Sequence, residues 1–422
     1  MPIIGAFSAR GLKGIGLSAG SAGGAEPVLG SAYSTTFTNW PLGIVGYDPS
    51  GDVYIVSSFN STASPFYVEI SAVRINADKS FTRGPAYIVN SSDSRDLDMA
   101  FDASVNKSLI VWRDTGALEN IGAVVCTASS SSLTLSFGAL QTVTDNTNLA
   151  RPLVVYDEAE QKCLCVYEED DGTDPILARV VTVNSDSTIS VGAEATVFSA
   201  VSGQFIRAIG YDSTAQKCWL AHRNSTEIAV TVLSVSGTTV TAGSTTNVHS
   251  YSSDGSNFPN SVTHHPTTGY NVMISERQDN NNVRWWTHVT TFKITGTSVT
   301  NVTGTQVIDS QGACGQQGST SYDPTIDRVV TVGARYYRAG VGTELIHLPP
   351  RIRHLEILSN GVVNQDFTID TTAWSGSDAV NRPAFISQSS QNATIDNSGN
   401  HFFLYQINDK SAIYGQVWFP GS

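Results

Sequence analysis

Short apolar runs recur along this chain, each set off by Ser, Thr, Asn, Asp or Gly: "SLIVW", "CLCVY", "CWLAH" and "HFFLY". Runs this short, rich in β-branched and aromatic residues and bounded by turn formers, predict strands buried on both faces. Before each run lies an apolar segment, in most copies ending in an aromatic-Asp pair. After it comes a segment such as "ILARVVTV" or "EIAVTVLSV", then, past a polar turn, a weaker one such as "SVGAEATVF". The pattern predicts four strands, A to D, with the Asp at the end of strand A accepting hydrogen bonds from the backbone of the turn it opens.

The unit repeats. Aligned on the pair, "IVGYDPSGDVYIVSS", "DMAFDASVNKSLIVW", "VVYDEAEQKCLCVY", "AIGYDSTAQKCWLAH", "STSYDPTIDRVVTVG" and "ATIDNSGNHFFLYQ" put Asp48, Asp102, Asp157, Asp212, Asp323 and Asp396 at one position, and "SVTHHPTTGYNVMIS" puts His265 there. Successive anchors lie 54, 55, 55, 53, 58 and 73 residues apart, close to the periods of propeller repeats. A four-stranded antiparallel unit cannot bury both faces alone, so such units stack around an axis. Seven copies predict an all-β fold, a seven-bladed β-propeller of four-stranded antiparallel blades over residues 30–422, preceded by an extended arm, residues 1–29. The last unit supplies strands B and C with no D of its own, whereas residues 28–37, "VLGSAYSTTF", read as a strand D without a blade. They are expected to complete the last blade and clasp the ring.

The 73-residue interval suggests an insertion loop at 348–383. Insertions in repeats map to loops on one face, often the binding face, and Arg351, Arg353, His354 and Trp374 are its candidate contacts. Two aromatic clusters offer further candidates for surface binding: Trp285 and Trp286 in "VRWWTHV", and Tyr336 and Tyr337 in "ARYYRAGVGTE". Exposed rings of this kind stack on sugars or anchor a protein partner, while packing between blades is the competing reading.

The segment "KCLCVYEEDDG" raises the question of a metal or redox site. Cys-x-Cys on a strand puts both sulfurs on one face, but no second pair stands at metal-ligand spacing. Cys163 aligns with Cys218 of the next unit, so packing between blades is the expected role. Glu168 to Asp171 are read as a solvated B–C turn. The five cysteines, odd in number and irregular in spacing, fit free thiols rather than a disulfide framework. His264 and His265 are neighbours on a strand and point to opposite faces, which rules out a simple chelate.

Composition narrows the function classes. Charged residues make up only 14% of the chain, and 37 acidic against 24 basic residues give a formal charge of -13. Nucleic-acid binding needs a basic face, so no nucleic-acid partner is expected. No stretch approaches the roughly 18 apolar residues of a membrane span, so no membrane insertion is expected. The N-terminus lacks the charged and apolar regions of a secretory signal, which implies synthesis in a cytoplasm. No nucleophile elbow, zincin helix or P-loop is present, and the Asp-box of sialidases is not met. Neither catalytic residues nor a cofactor nor a metal is expected, and the protein reads as non-enzymatic.

The arm is Gly-, Ala- and Ser-rich yet carries apolar anchors, which a plain linker does not need. Its "GAFSARGLKGIGLSAGSAGG" resembles the Ser-Ala-Arg-Gly-(Phe/Leu)-Gly leader at the start of many bacteriophage virion proteins, especially tail fibres and other appendages. Leu12 and Lys13 stand where Phe-Gly is common, and the resemblance covers this segment alone. It implies docking of Phe7, Ser8, Arg10, Leu12, Lys13, Ile15 and Leu17 onto other virion proteins, with multiple copies per particle. The propeller would then present loops to a neighbouring protein or to a host-surface glycan or protein. A capsid decoration protein, a lectin-like propeller and a glycan-cleaving enzyme are the alternative readings.

Overall fold

Each anchor residue folds a hairpin. Asp48 Oδ1 accepts the backbone N–H of Ser50 at 2.9 Å and of Gly51 at 3.1 Å. Asp157 holds Ala159 and Glu160 at 3.0 and 3.1 Å, and Asp212 holds Thr214 and Ala215 at 2.9 and 2.8 Å. Asp102, Asp323 and Asp396 take the N–H of Ser104, Thr325 and Asn400 in the same way. At the copy without a carboxylate, His265 Nδ1 meets the Thr268 N–H at 3.3 Å. Four residues after the anchor the backbone turns left-handed in six copies, at Asp52, Asn106, Gln161, Gln216, Gly269 and Asp327, with φ between 49° and 69°. The turn thus imposes the same geometry on six different residues, of which Gly269 alone adopts it without strain.

The computed structural model describes residues 45–60 and 67–370, apart from breaks at 79, 93, 117–119, 145, 147, 170–174, 200–205, 225–226, 251–256, 279–284, 310–318 and 339–344, together with 28–29, 33–34, 383–384, 393–396, 400–407 and 413–419. The turns generate an all-β propeller of four-stranded antiparallel blades. Blade one is Val45–Asp48, Val53–Asn60, Tyr67–Ile75 and an outer strand in two pieces, Phe81–Arg83 and Tyr87–Asn90. Blades two and three repeat this plan, with inner strands Ser94–Asp102 and Leu149–Asp157. The inner strands of blades four, five and six are Ile206–Asp212, Asn257–His265 and Ser319–Asp323. Strand B is sandwiched on both sides, as Lys162–Glu169 shows with six consecutive buried residues.

The core lies between blades rather than within them. One cluster joins Ile55 and Ile70 of blade one to Met99 and Ile110 of blade two, and another joins Leu109 and Val125 to Cys163 and Val181 of blade three. Equivalent clusters bridge blades three and four, four and five, and five and six. Close approach is required at one glycine in the outer strand of each of blades one to four. Gly84, Gly138 and Gly192 donate to the strand C carbonyls of Ala72, Val125 and Val180 at 2.8 to 2.9 Å. A Cβ on Gly84, Gly138, Gly192 or Gly243 would run into the carbonyl oxygen of Leu133, Ser187, Thr238 or Thr297, each in the C–D turn of the following blade.

Two expectations are corrected. Six blades, not seven, are each cut from one continuous stretch. The chain ends meet instead in a composite sheet, Pro383–Ala384 and Ala393–Ile395, His401–Ile407, Ile413–Phe419, then Val28–Leu29 and Tyr33–Ser34. In it Val28 pairs with Phe419 and Tyr33 with Gly415, so the N-terminal segment does sit as a strand D against the last strand C. The insertion expected at 348–383 is also smaller, because Leu345–Ile357 and Val363–Asp370 are strands C and D of blade six. Strands B and C of that blade run to 11 and 13 residues, against 8 and 8 in blade three, which accounts for part of the long interval, and the rest of the extra length follows strand D, after Asp370. Residues 371–382 lie outside the described residues.

Two stability measurements test this packing. Gly138→Ala should destabilise by about 1–3 kcal/mol through overpacking, whereas Gly304→Ala, which has open space around it, should be near neutral in the same denaturant titration. Deleting residues 28–37 should lower the melting temperature, and an unchanged transition would contradict a terminal clasp.

Candidate functional site at the mouth of the axial cavity

Along strand A the side chains alternate, so the anchor and the residue before it face different neighbours. The anchors reach the following blade. Asp212 Oδ2 accepts from Asn271 Nδ2 at 2.6 Å, and Asp157 Oδ2 lies 3.6 Å from Cys218 Sγ. The aromatic before the anchor reaches back instead. Tyr211 OH accepts the Ala159 N–H at 3.1 Å, Tyr156 lies against Ser104 and Asp102, and Tyr322 OH is 3.4 Å from Thr267 Oγ1 while donating to Asp327 at 2.8 Å. Their positions at the A–B end leave these rings half-buried. Burial raises the pKa of Tyr156, Tyr211 and Tyr322, to about 12 for Tyr211, so the rings carry neutral phenols at physiological pH.

These rings edge an axial cavity of about 560 Å³ walled by the inner strands of all six blades. Tyr47, Phe101, Tyr156, Tyr211 and Tyr322 stand at its A–B end with His264 in the equivalent place of blade five. Deeper down, Val45, Met99, Val154 and Ile209 form an apolar arc over blades one to four that Val262 carries into blade five, and Thr263, Ser319, Thr320 and Ser321 form a hydroxyl arc over blades five and six. Among the described lining residues no Lys or Arg is present, and Glu158 is the one carboxylate. Volume and lining suit a small ligand with both apolar and hydrogen-bonding surface. The sequence signal for this site was the aromatic-Asp pair, which reads as a turn motif until the inner strands are brought around one axis.

The paired histidines diverge as alternation requires. His264 lies 3.5 Å from Asp212 and 3.2 Å from Thr214, in blade four, whereas His265 lies 3.5 Å from Asp327 of blade six. Burial lowers the pKa of both, outweighing the neighbouring carboxylates. The cysteines pack between blades: Cys163 and Cys165 belong to the core shared with blade two. Burial is the main cause raising the pKa of both thiols, and of Cys218, so they are protonated rather than nucleophilic or metal-ready thiolates. Cys218 does more than fill space, because its S–H, a weak donor, faces the second oxygen of Asp157.

The other candidate residues do not come together at the cavity. Trp286 is half-buried at the B–C end of blade five, its ring 6.4 Å from that of His288. Trp285, Tyr336 and Tyr337 fall on strands at the B–C ends of blades five and six, with side chains outside the described residues. Arg351 is half-buried. Arg353 and His354 are corrected: they are 0% and 5% exposed, because they sit mid-strand opposite Thr331 and Val330 and not on a loop. Glu168 is also corrected, being 3% exposed. It lies one residue before the end of strand B, pairs with Arg151 and accepts the Ile206 N–H from blade four. Trp374 and the arm residues Phe7, Ser8, Arg10, Leu12, Lys13, Ile15 and Leu17 lie outside the described residues.

Two buried groups give stability opposite pH dependences. His222 Nδ1 is 3.4 Å from the Arg223 carbonyl and Nε2 is 3.1 Å from Thr231 Oγ1. A carbonyl only accepts, so Nδ1 carries the proton and Nε2 accepts from the hydroxyl, as a neutral ring must. Burial lowers its pKa to about 4 from 6.5, so the unfolded chain binds the extra proton between these values and stability falls as pH drops through that window. Asp98 behaves the other way. Burial raises its pKa from 3.8 to about 7 despite the Val154 N–H at 2.8 Å, and Oδ1 has no partner among the described residues. Stability from Asp98 is full below about pH 4 and is lost as pH rises through 7. Melting curves against pH should therefore show His222→Asn relieving the acid loss and Asp98→Asn relieving the loss toward pH 8.

No protein-family model matches this sequence, and neither does any curated protein. Solved structures similar to it include a candidate 6-phosphogluconolactonase from Bacteroides uniformis, at 11% identity and a TM-score of 0.47 over 86% of this chain and 95% of that one. Sqt1 from Chaetomium thermophilum is similar at 9% identity and a TM-score of 0.46, over 92% and 98% of the two chains. Likeness at this level carries neither family nor function to this chain.

Proposed function

We propose that this chain is a non-enzymatic structural protein of a bacteriophage particle, held by its N-terminal arm as a tail-fibre or baseplate-type appendage, with the propeller presenting its loops to a neighbouring protein or the host surface. The attachment rests on the leader resemblance at residues 8–17. The binding role rests on the cavity lining, where Glu158 is the one carboxylate among the described residues. Glycoside hydrolysis requires two carboxylates about 5 to 9.5 Å apart, and a half-buried aromatic mouth is a binding surface rather than an acid–base pair.

A presenting scaffold must be rigid, and the ring is proposed to close with the composite terminal sheet as its seventh blade. Two contacts support that closure. Ala393–Ile395 packs against the inner strands of both blade six and blade one, and Tyr54 of blade one meets the anchor Asp396 as Cys218 meets Asp157. Capsid decoration is the second position on a particle that this reading allows. The aromatic mouth favours a lectin-like propeller as the leading reading outside virions.

Labelling particles from a lysate of the source with an antibody to the propeller, viewed by electron microscopy, tests the proposal. Gold at the tail is the expected result, and gold over the head would move the protein to the capsid. Deleting residues 8–17 should abolish labelling while the free protein stays folded. Unlabelled particles beside abundant free protein would overturn the virion reading.

A further inference from the structure

We infer that the axial cavity binds a neutral saccharide, with the tyrosines of its mouth as the stacking surface. The inference rests on the binding reading of the cavity and is independent of attachment to a particle. Three features of the site select the ligand class. The first is charge. With no Lys or Arg among the described lining residues and Glu158 at the rim, the site offers no counter-charge to a phosphate, a carboxylate or a sialylated sugar.

The second is the division of the wall. A pyranose ring has one apolar C–H face and a polar edge of hydroxyls. The cavity matches that division, with an apolar arc running from blade one to Val262 of blade five and hydroxyls gathered on blades five and six. Ser261 and Thr320 hydroxyls are already bonded at 2.5 Å, which fixes part of the polar arc and leaves Thr263 and Ser321, both only partly buried, to meet the ligand.

The third is preorganisation. Tyr47, Tyr211 and Tyr322 each have the hydroxyl engaged by a neighbouring turn: Tyr47 donates to Asp52 at 2.7 Å, Tyr211 accepts from Ala159 and Tyr322 donates to Asp327. A ring tethered at its backbone and at its hydroxyl loses little freedom when a ligand stacks on it, and this lowers the cost of binding. The tether also means that the phenol oxygens are occupied, so these residues would contribute ring surface rather than hydrogen bonds.

The test uses the full chain on an array of neutral and acidic glycans, followed by calorimetric titration with the best neutral binder. Binding to neutral glycans in preference to acidic ones is expected, weakened at least tenfold by Tyr211→Ala. Since Tyr211 also bridges two blades, Ser213→Arg is the companion variant. Ser213 is exposed on the rim, so this change should leave the melting temperature in place while obstructing the cavity and weakening binding to a similar extent. Failure of every neutral glycan to bind would overturn the inference. So would binding that Ser213→Arg leaves intact, which would put the site elsewhere, and so would capture of tetramethylammonium in place of sugars, which would make the tyrosines a cation cage. None of these outcomes bears on particle labelling.

Discussion

The structure depends on the turn anchor of each blade, a carboxylate everywhere but blade five, which at Asp157, Asp212 and Asp396 is used twice. Oδ1 of the anchor closes the A–B turn of its own blade, and Oδ2 faces strand B of the next. A buried carboxylate oxygen without a partner is costly, and at three anchors the second residue of the following strand B supplies a donor: Asn271 for Asp212, Cys218 for Asp157, Tyr54 for Asp396, whereas the second oxygens of Asp48 and Asp102 have no partner among the described residues. Where the anchor is His265, the equivalent residue is the apolar Val329, and the imidazole stacks edge-on with Tyr322 instead, at 5.0 Å between ring centres. Turn geometry and blade spacing are therefore set by the same side chain. Substitution at an anchor would disturb both, which separates these residues from ordinary turn aspartates.

The turn that every anchor closes explains which parts of the fold were legible in the sequence. The anchors recur because each must end strand A with the same turn, and their recurrence exposed the repeat, the turn and the four strands. Of the segment 28–37, read from the sequence as a strand without a blade, Val28–Leu29 and Tyr33–Ser34 pair with the last strand C. Periodicity misplaced the start of the extra length in blade six, because spacing alone cannot tell which residues belong to a longer hairpin and which follow strand D. Arg353 illustrates the difficulty. In sequence it stands beside Pro349, Pro350 and Arg351 and looks like a basic loop, but in the fold it is a fully buried residue in the middle of a strand. Charge predicts exposure only when the backbone context is known.

The cavity was illegible for a different reason. None of its lining residues is unusual where it stands, and Tyr or Phe before the anchor is explained locally by strand propensity. A site appears only when inner strands some 50 residues apart in the sequence converge on an axis. The glycines of the outer strands pose the same problem. Gly138 has an unremarkable sequence setting, and its necessity comes from the Ser187 carbonyl of another blade.

A last regularity shows that contacts between blades also constrain charge. Eleven residues after the anchor, where strand B nears its B–C end, blades two to five carry Arg113, Glu168, Arg223 and Glu276, alternating in sign around the ring. Strand B residues of this parity face the following blade, as Glu168 does in accepting the Ile206 N–H. Like charges at the same depth in adjacent blades would repel across a poorly solvated gap, and a buried charge needs a partner to be tolerated. Partners within the blade meet part of that need, Asp96 for Arg113, Arg151 for Glu168 and Asn260 for Glu276, and alternation avoids like charges at the seams between blades. Reversing Glu168 or Arg223 would place three like-signed side chains in succession, so the effect of such a change should spread beyond the blade that carries it.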